Sequence, residues 1–384
     1  MRIGVPKETR ADERRVAATP ETVAKIAQRG AEVVVEEGAG DRASLADAAY
    51  AEAGARIVPR QEAWSSDVVL KVQPPTSGEA ELLAPESVVI SFLNPEAHPE
   101  AFRALCERGV TVLAMEAVPR IARAQKMDAL SSMANLAGYK AVLEAANVYG
   151  KYFPLLMTAA GTIPPTQVLV IGAGVAGLSA VVTARRLGAV VRAFDPRPAV
   201  KEQVQSLGAR FLDLELTAEE TAGGYAAAQS EEFLRKEREL LARHLREVDI
   251  VISAALIAGR TAPVLITEEM VGSMRAGSVI VDLAVEQGGN CALTRRDEVV
   301  EAGGVRILGY ANMASRLPIH GSQLYARNVL NLLLHAWSDG GVATDEADEI
   351  VSATALILRG QDRRAARDER PTPYAHRPVP AGGA

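Results

Sequence analysis

Aromatic side chains are scarce in this chain: Phe, Trp and Tyr make up 4% of its 384 residues. Its cores must therefore be built mostly from Val, Leu, Ile and Ala. Cysteine is scarcer still, with Cys106 and Cys291 alone, which excludes a disulfide framework and a multi-cysteine zinc site. Positive charge is not in excess. The 42 basic and 48 acidic residues leave a formal charge of −6, so no nucleic-acid footprint is expected. Long hydrophobic runs are missing as well. The most apolar stretch, Val168–Ala184, carries three glycines and falls about one residue short of a membrane-spanning helix. At the N-terminus, Lys7, Glu8 and Arg10 occupy positions where a signal peptide needs apolar residues. The expectation is a soluble cytoplasmic chain with no direct membrane insertion.

What is present is alternation. With 48% hydrophobic and 23% charged residues, the composition is that of an ordinary globular protein, and the length suits two domains or three. Apolar strand-like runs at Arg2–Val5, Glu32–Glu36, Val68–Val72, Val88–Phe92 and Thr111–Met115 are separated by helical patterns. Thr19 and Pro20 open the first helix as N-cap and first helical residue, Gly30 closes it, and Ser44 is expected to cap a second reaching about Ala53. A long helical pattern from about Ser132 to Val148 leads to a second set of strands at Val168–Ile171, Val190–Phe194, Ile250–Ala254, Val279–Leu283 and Arg306–Leu308. Another, Gln323–Ala336, is expected to return the chain to the first domain.

This order predicts an α/β protein of two Rossmann-like, doubly wound parallel-sheet domains, joined by long helices with a cleft between them. The expected boundaries are 1–130 plus 320–360 for a discontinuous first domain and 131–319 for the second. Residues 361–384, rich in Arg, Pro and Gly, read as a flexible tail.

The strongest local signal is Val168-Leu-Val-Ile-Gly172-Ala-Gly174-Val175-Ala-Gly177, a strand running into G-x-G-x-x-G and a helix. Gly172 allows the tight turn, Gly174 lets the backbone approach a pyrophosphate, and Gly177 lets helix and strand pack closely. The helix N-terminus then offers free N–H groups to phosphate. Asp195 follows Gly177 by 18 residues at the tip of the next strand, placed to accept from a ribose 2′-hydroxyl. A carboxylate there repels a 2′-phosphate, which favours NAD(H) over NADP(H), although Arg197 two residues on is able to accommodate that phosphate.

A second cluster runs Pro119-Arg120-Ile-Ala-Arg123-Ala-Gln125-Lys-Met-Asp128-Ala-Leu-Ser131-Ser132. Its cations, amide, carboxylate and hydroxyls suit a clamp on phosphate, ribose and carboxamide groups. A solvated loop, or an N-cap group for the long helix, explains the same residues. Residues 215–247 form an insertion containing Ala222-Gly223-Gly224-Tyr225, readable as a mobile lid or as a surface helix with a flexible start. None of the five histidines makes a metal constellation. His335 lies on an apolar helix, and His98 and His320 lie in Pro-containing connections. Glu116 and Glu286 are expected near strand ends and buried.

Taken together, these stretches resemble the NAD(H)-binding components of proton-translocating NAD(P)+ transhydrogenases. The resemblance also rests on Gly4-Val-Pro-Lys-Glu8, Met157-Thr-Ala-Ala-Gly161-Thr-Ile-Pro-Pro165, Glu220–Tyr225, Pro263–Met270 and Val281-Asp-Leu-Ala-Val-Glu-Gln-Gly-Gly-Asn290, and it runs to about Leu358. It implies a homodimeric subunit that holds NAD(H) and passes hydride to NADP+ held by a partner. Membrane-spanning partners would couple the transfer to proton movement and tie the subunit to the inner-membrane surface. Arg120, Gln125, Asp128 and Ser131 would then lie at the nicotinamide, and Tyr225 on the lid. Arg123, the three glycines, Val175, Asp195, Arg197, Gly224 and Leu256 would contact the cofactor.

Alanine dehydrogenase is similar in fold and pattern. Such an enzyme needs a general acid/base and cations for the substrate carboxylate. Arg15 and Lys71 resemble its carboxylate-holding positions, but Asn94 and Glu286 stand where its pattern has His and Asp. Asn94 cannot carry a proton at neutral pH, whereas exchange between two nicotinamides moves no proton at the reacting carbons. A non-catalytic NAD sensor is a third reading, and it would have no use for the Arg120–Ser131 clamp.

Overall fold

The computed structural model describes residues 1–214, 231–256, 261–338, 341–342 and 347–364. Strand β1 (Arg2–Val5) leads to α1 (Pro20–Gln28), β2 (Glu32–Glu36), α2 (Asp47–Glu52), β3 (Ala55–Val58) and α3 (Arg60–Trp64). Then follow β4 (Val68–Leu70), α4 (Ser77–Ala80), β5 (Val88–Ser91), α5 (Pro99–Arg108) and β6 (Thr111–Ala114). Helix α1 starts where Thr19 and Thr22 exchange side-chain-to-backbone bonds in a capping box, with Pro20 supplying its fixed φ. It buries Thr22, Val23 and Ile26 and stops before Gly30, whose φ is +88°. Ser44 does not cap α2. It takes φ +59° at the end of a short 3-10 turn (Asp41–Ala43), and α2 begins behind Ala46. The tight turn is packed inside: a Cβ on Gly40 would stand 2.3 Å from the Leu45 carbonyl oxygen.

The chain then passes into a second compact unit. It holds α6 (Ala129–Val148), the hairpin β7 (Leu156–Thr158) and β8 (Gly161–Ile163), β9 (Gln167–Ile171), α7 (Val175–Arg186) and β10 (Val190–Phe194). It continues with α8 (Lys201–Ser206), β11 (Arg210–Phe211), α9 (Glu231–Leu245), β12 (Ile250–Ser253) and α10 (Glu268–Gly272). Strands β13 (Val279–Asp282), β14 (Val299–Ala302) and β15 (Val305–Leu308) complete it. Helix α11 (Pro318–Ala336) returns to the first unit, followed by β16 (Trp337–Ser338), β17 (Gly341–Val342), α12 (Glu349–Thr354), β18 (Ala355–Leu358) and β19 (Gln361–Asp362). Among the described residues, 1–130 and those from 318 onward form one compact unit, and 131–317 form the other.

The two sheets share one winding. The first runs β3-β2-β1-β4-β5-β6 in parallel, and the second runs β11-β10-β9-β12-β13-β15 in parallel. Each therefore reverses direction of growth beside its first strand, at β1/β4 and β9/β12, where open α/β sheets place ligands at their carboxyl ends. Neither sheet is wholly parallel. Strand β18 joins β6 antiparallel and carries β19, and β14 closes the second sheet antiparallel to β15. Residues 361 and 362 are thus strand, and the remainder of the expected tail beyond 364 lies outside the described residues.

Aliphatic packing fills both faces of the second sheet. Val168, Val170, Val191 and Ala193 pack with α6 and α7 on one side, and Leu169, Ile171, Phe194 and Ile280 with α9 on the other. A Cβ on Gly138 would stand 1.9 Å from the Ala176 carbonyl oxygen, so glycine is what lets α6 approach α7. No helix among the described residues is long and apolar enough to cross a membrane.

Candidate functional site

The turn after β9 has the geometry of a dinucleotide loop. Gly172 takes φ +89°, donates its N–H to the Phe194 carbonyl at 2.8 Å, and leaves no room for a side chain against Ala254 and Ala255. A Cβ on Gly177 would stand 1.8 Å from the Gly172 carbonyl oxygen. Gly174 differs from both. It is the N-cap of α7 with ordinary φ, offers no side-chain cap, and has open space where a Cβ would be. A 12-residue helix thus begins without a side-chain cap, beside the open space at Gly174, the setting that receives phosphate. Val175, the first helical residue, is 42% exposed there. These features fit a dinucleotide pyrophosphate.

Asp195 stands at the tip of β10 and is buried. Its Oδ2 accepts from the Ala173 N–H at 2.7 Å and from Arg197 Nη2 at 2.8 Å. Its Oδ1 accepts from Arg197 N at 2.9 Å and Nε at 2.8 Å. Four bonds fill the carboxylate's four acceptor positions, so a ribose hydroxyl enters only where the guanidinium yields one. The sequence pattern did not reveal Glu237. This residue of α9 is buried, and burial pushes its carboxyl up to about 7. The Asp195 charge adds to that rise and Arg238 opposes it. Leu256 follows β12 and is half-buried. Gly224 and Tyr225 lie outside the described residues.

In the first unit, the Arg120–Asp128 stretch follows β6 and includes a 3-10 segment, Ala122–Met127. Arg120, Arg123 and Gln125 are exposed, and Asp128 is half-buried. Asn328 and Asn331 of α11 hold this segment in place, each donating Nδ2 to the Lys126 carbonyl at 3.0 Å. Two asparagines three apart were not a distinctive signal for that tether, since the helix also carries Gln323, Arg327 and His335. Arg123 pairs with Glu349 of α12 at 3.0 Å. Ser131, half-buried, lies in the first turn of α6.

Arg15 and Lys71 are both buried in the first unit and both paired. Arg15 meets Glu13 at 2.6 Å, and Lys71 meets Glu8 at 3.1 Å and Glu79 at 3.7 Å. Burial raises the Glu8 carboxyl above its ordinary range, against the pull of Lys71. Asn94 sits in the left-handed region at φ +44° and donates its backbone N–H to Glu116 at 2.6 Å. Asparagine tolerates that conformation better than most side chains. Glu116 is half-buried, accepting also from Leu93 N. Glu286 corrects the expectation of burial: it lies exposed on a 3-10 turn, 3.9 Å from Arg296. His335 bonds Asp348 at 3.0 Å, and His98 lies 3.3 Å from Arg10.

Two family models cover nearly the whole chain. Residues 4–137 match Alanine dehydrogenase/PNT, N-terminal domain, and residues 141–364 match Alanine dehydrogenase/PNT, C-terminal domain. An NAD(P) transhydrogenase subunit alpha chain of Rhodospirillum rubrum is 47% identical over 372 residues, 94% of this chain and 97% of that one. The solved transhydrogenase from Sinorhizobium meliloti superposes with a TM-score of 0.87 at 46% identity, covering 94% of this chain and 100% of its own. A solved L-alanine dehydrogenase superposes with a TM-score of 0.80 at 27% identity, covering 96% and 99%.

Proposed function

The chain belongs to the alanine dehydrogenase/PNT family, and from that footing we propose that it is the NAD(H)-binding subunit of a proton-translocating NAD(P)+ transhydrogenase. One observation carries the choice within the family. Identity over nearly the full length is 47% to a transhydrogenase alpha subunit and 27% to an alanine dehydrogenase. The position of Asn94 supports it, since an amide in the left-handed turn after β5 offers no proton to an amino-acid substrate.

Bound NAD(H) supplies the hydride; the protein supplies position. Gly172 makes the tight turn, and Gly174 lets the backbone N–H groups of the α7 N-terminus approach the pyrophosphate. Asp195, with Arg197 beside it, addresses the adenosine ribose, and Val175 and Leu256 line the cofactor. Arg120, Gln125, Asp128 and Ser131 serve the nicotinamide end, where two C4 atoms must be held about 3–3.5 Å apart with water excluded, and Arg123 is a further cofactor contact. Gly224 and Tyr225 belong to the covering lid. NADP(H) is held by a partner subunit, membrane-spanning partners couple the transfer to protons, and this subunit works as a homodimer at the inner face of the membrane.

The test is stopped-flow hydride transfer from NADH on this protein to an NADP+ analogue on a recombinant NADP(H)-binding partner. Fast transfer that requires the partner is the expected result. Turnover of pyruvate and ammonia by this protein alone would overturn the reading in favour of an amino-acid dehydrogenase.

A further inference from the structure

The loop after β13 contains a residue whose every polar group is engaged. Two glycines in the left-handed region, Gly288 at φ +101° and Gly289 at φ +85°, turn the chain back so that Asn290 lies fully buried beneath the strand ends. Its N–H donates to Asp282 Oδ2 at 2.7 Å, and its carbonyl accepts from Leu265 and Ile266, both at 2.9 Å. The side-chain oxygen accepts from Ser253 Oγ at 2.8 Å and the Ala255 N–H at 3.1 Å. The side-chain nitrogen donates to the carbonyls of Ala255 and Pro263, both at 2.9 Å. All four hydrogen-bonding positions of the amide are filled. Asp282, itself fully buried, anchors the loop through Ala284 N, Cys291 N and Thr294 Oγ1 as well.

Asn290 thus grips both polar groups of Ala255, in the segment that follows β12. That segment is the wall behind the dinucleotide turn. Ala254 donates its N–H to the Ile171 carbonyl at 2.8 Å. A Cβ on Gly172 would lie 2.8 Å from the Ala254 carbonyl and 2.9 Å from Ala255 N. Leu256 is the next residue. The Asp282–Asn290 pair therefore fixes, from beneath, the backbone that sets how far the glycine turn can retreat.

We propose that Asn290 is a positioning residue of the NAD(H) site, acting through the Ser253–Leu256 segment on the Gly172 turn. The inference rests on the assignment of NAD(H) to that turn. A buried amide with four partners also contributes to stability, so the test separates position from stability. NADH and ADP-ribose affinities are measured by fluorescence and calorimetry for the full chain, Asn290→Ala and Phe153→Ala. Phe153 packs at the opposite, amino-terminal ends of the strands, where its carbonyl accepts from Thr166 N. Asn290→Ala is expected to weaken both ligands by about tenfold, the scale of a small misplacement in a preorganised site. Phe153→Ala should lower Tm without changing either affinity. Equal affinities in wild type and Asn290→Ala, or a loss no greater than in Phe153→Ala, overturn the proposal. If Asn290→Ala does not fold, Ser253→Ala removes a single bond to the amide, and unchanged affinity there overturns it. A wild-type protein that binds neither ligand would instead refute the NAD(H) assignment.

Discussion

The Cβ that Gly177 lacks would stand 1.8 Å from the carbonyl oxygen of Gly172, while a Cβ on Gly174 would touch nothing within 4 Å. The glycines thus answer to different demands, one to the protein's own packing and one to open space where a ligand would approach. Gly177→Ala should destabilise the second unit, since backbone must move to relieve the clash, at a cost of about 1–3 kcal/mol. Gly174→Ala should leave Tm nearly unchanged and still weaken NADH binding. Thermal unfolding with NADH titration of both variants checks this, and equal affinity losses at equal Tm would refute the division of roles.

Asp195 is a second point where the cofactor meets an existing bond network. In Asp195→Ala, the buried Ala173 N–H loses its carboxylate acceptor and Arg197 loses its bonds to that carboxylate, a cost of about 1–3 kcal/mol for the unsatisfied N–H. NADH binding should weaken, and the preference for NADH over NADPH should narrow as the repelling carboxylate disappears. Titration with both nucleotides gives the ratio. An unchanged ratio would remove Asp195 from the ribose site.

Glu237 makes stability depend on pH through a buried acid. Burial, aided by Asp195 and opposed by Arg238, lifts its carboxyl from 4.5 to about 7. The folded protein then holds this proton more tightly than the unfolded chain. That contribution is fully present below about pH 4.5 and is lost as pH rises through about 7, up to about 3 kcal/mol in all. Glu237→Gln does not titrate. Its Tm relative to wild type should therefore rise between pH 5 and pH 8, measured by calorimetry at fixed ionic strength. A difference that stays flat across that range would show that Glu237 ionises normally.

These residues also show what was legible before the fold. The strands of the second sheet are buried on both faces, so Val168–Ile171 and the run opening at Val279, read as far as Leu283, stood out as apolar. The α1 cap and the glycine turn were local, and spacing revealed them. Strand β3 escaped because Ala55-Arg-Ile-Val is short and exposes Arg56. Ser44 misled because a hydroxyl before a helical pattern suits a cap and a tight turn equally. Glu237 was hidden by the charge-rich helix around it, since a burial pattern blurs where Lys, Arg and Glu occupy most positions. The side-chain bonds of Asn290 span 27 to 37 residues, a range where local patterns carry no information.

Gln125 is the most direct test of the nicotinamide assignment. Its side chain is exposed on a 3-10 segment whose backbone is tied at the Lys126 carbonyl by Asn328 and Asn331. A held backbone means that shortening the side chain moves the amide without moving the loop. Gln125→Asn draws that amide back by about 1.5 Å, one carbon–carbon bond. If it aligns the two nicotinamides, single-turnover hydride transfer with the partner should slow by about tenfold to a hundredfold, because reacting atoms tolerate little misplacement. NADH affinity, set by contacts elsewhere, should stay within about twofold, so the loss appears in the rate alone. Stopped-flow transfer beside an NADH fluorescence titration measures both. Affinity falling in step with the rate would make Gln125 an ordinary binding contact and return the alignment to Arg120, Asp128 and Ser131.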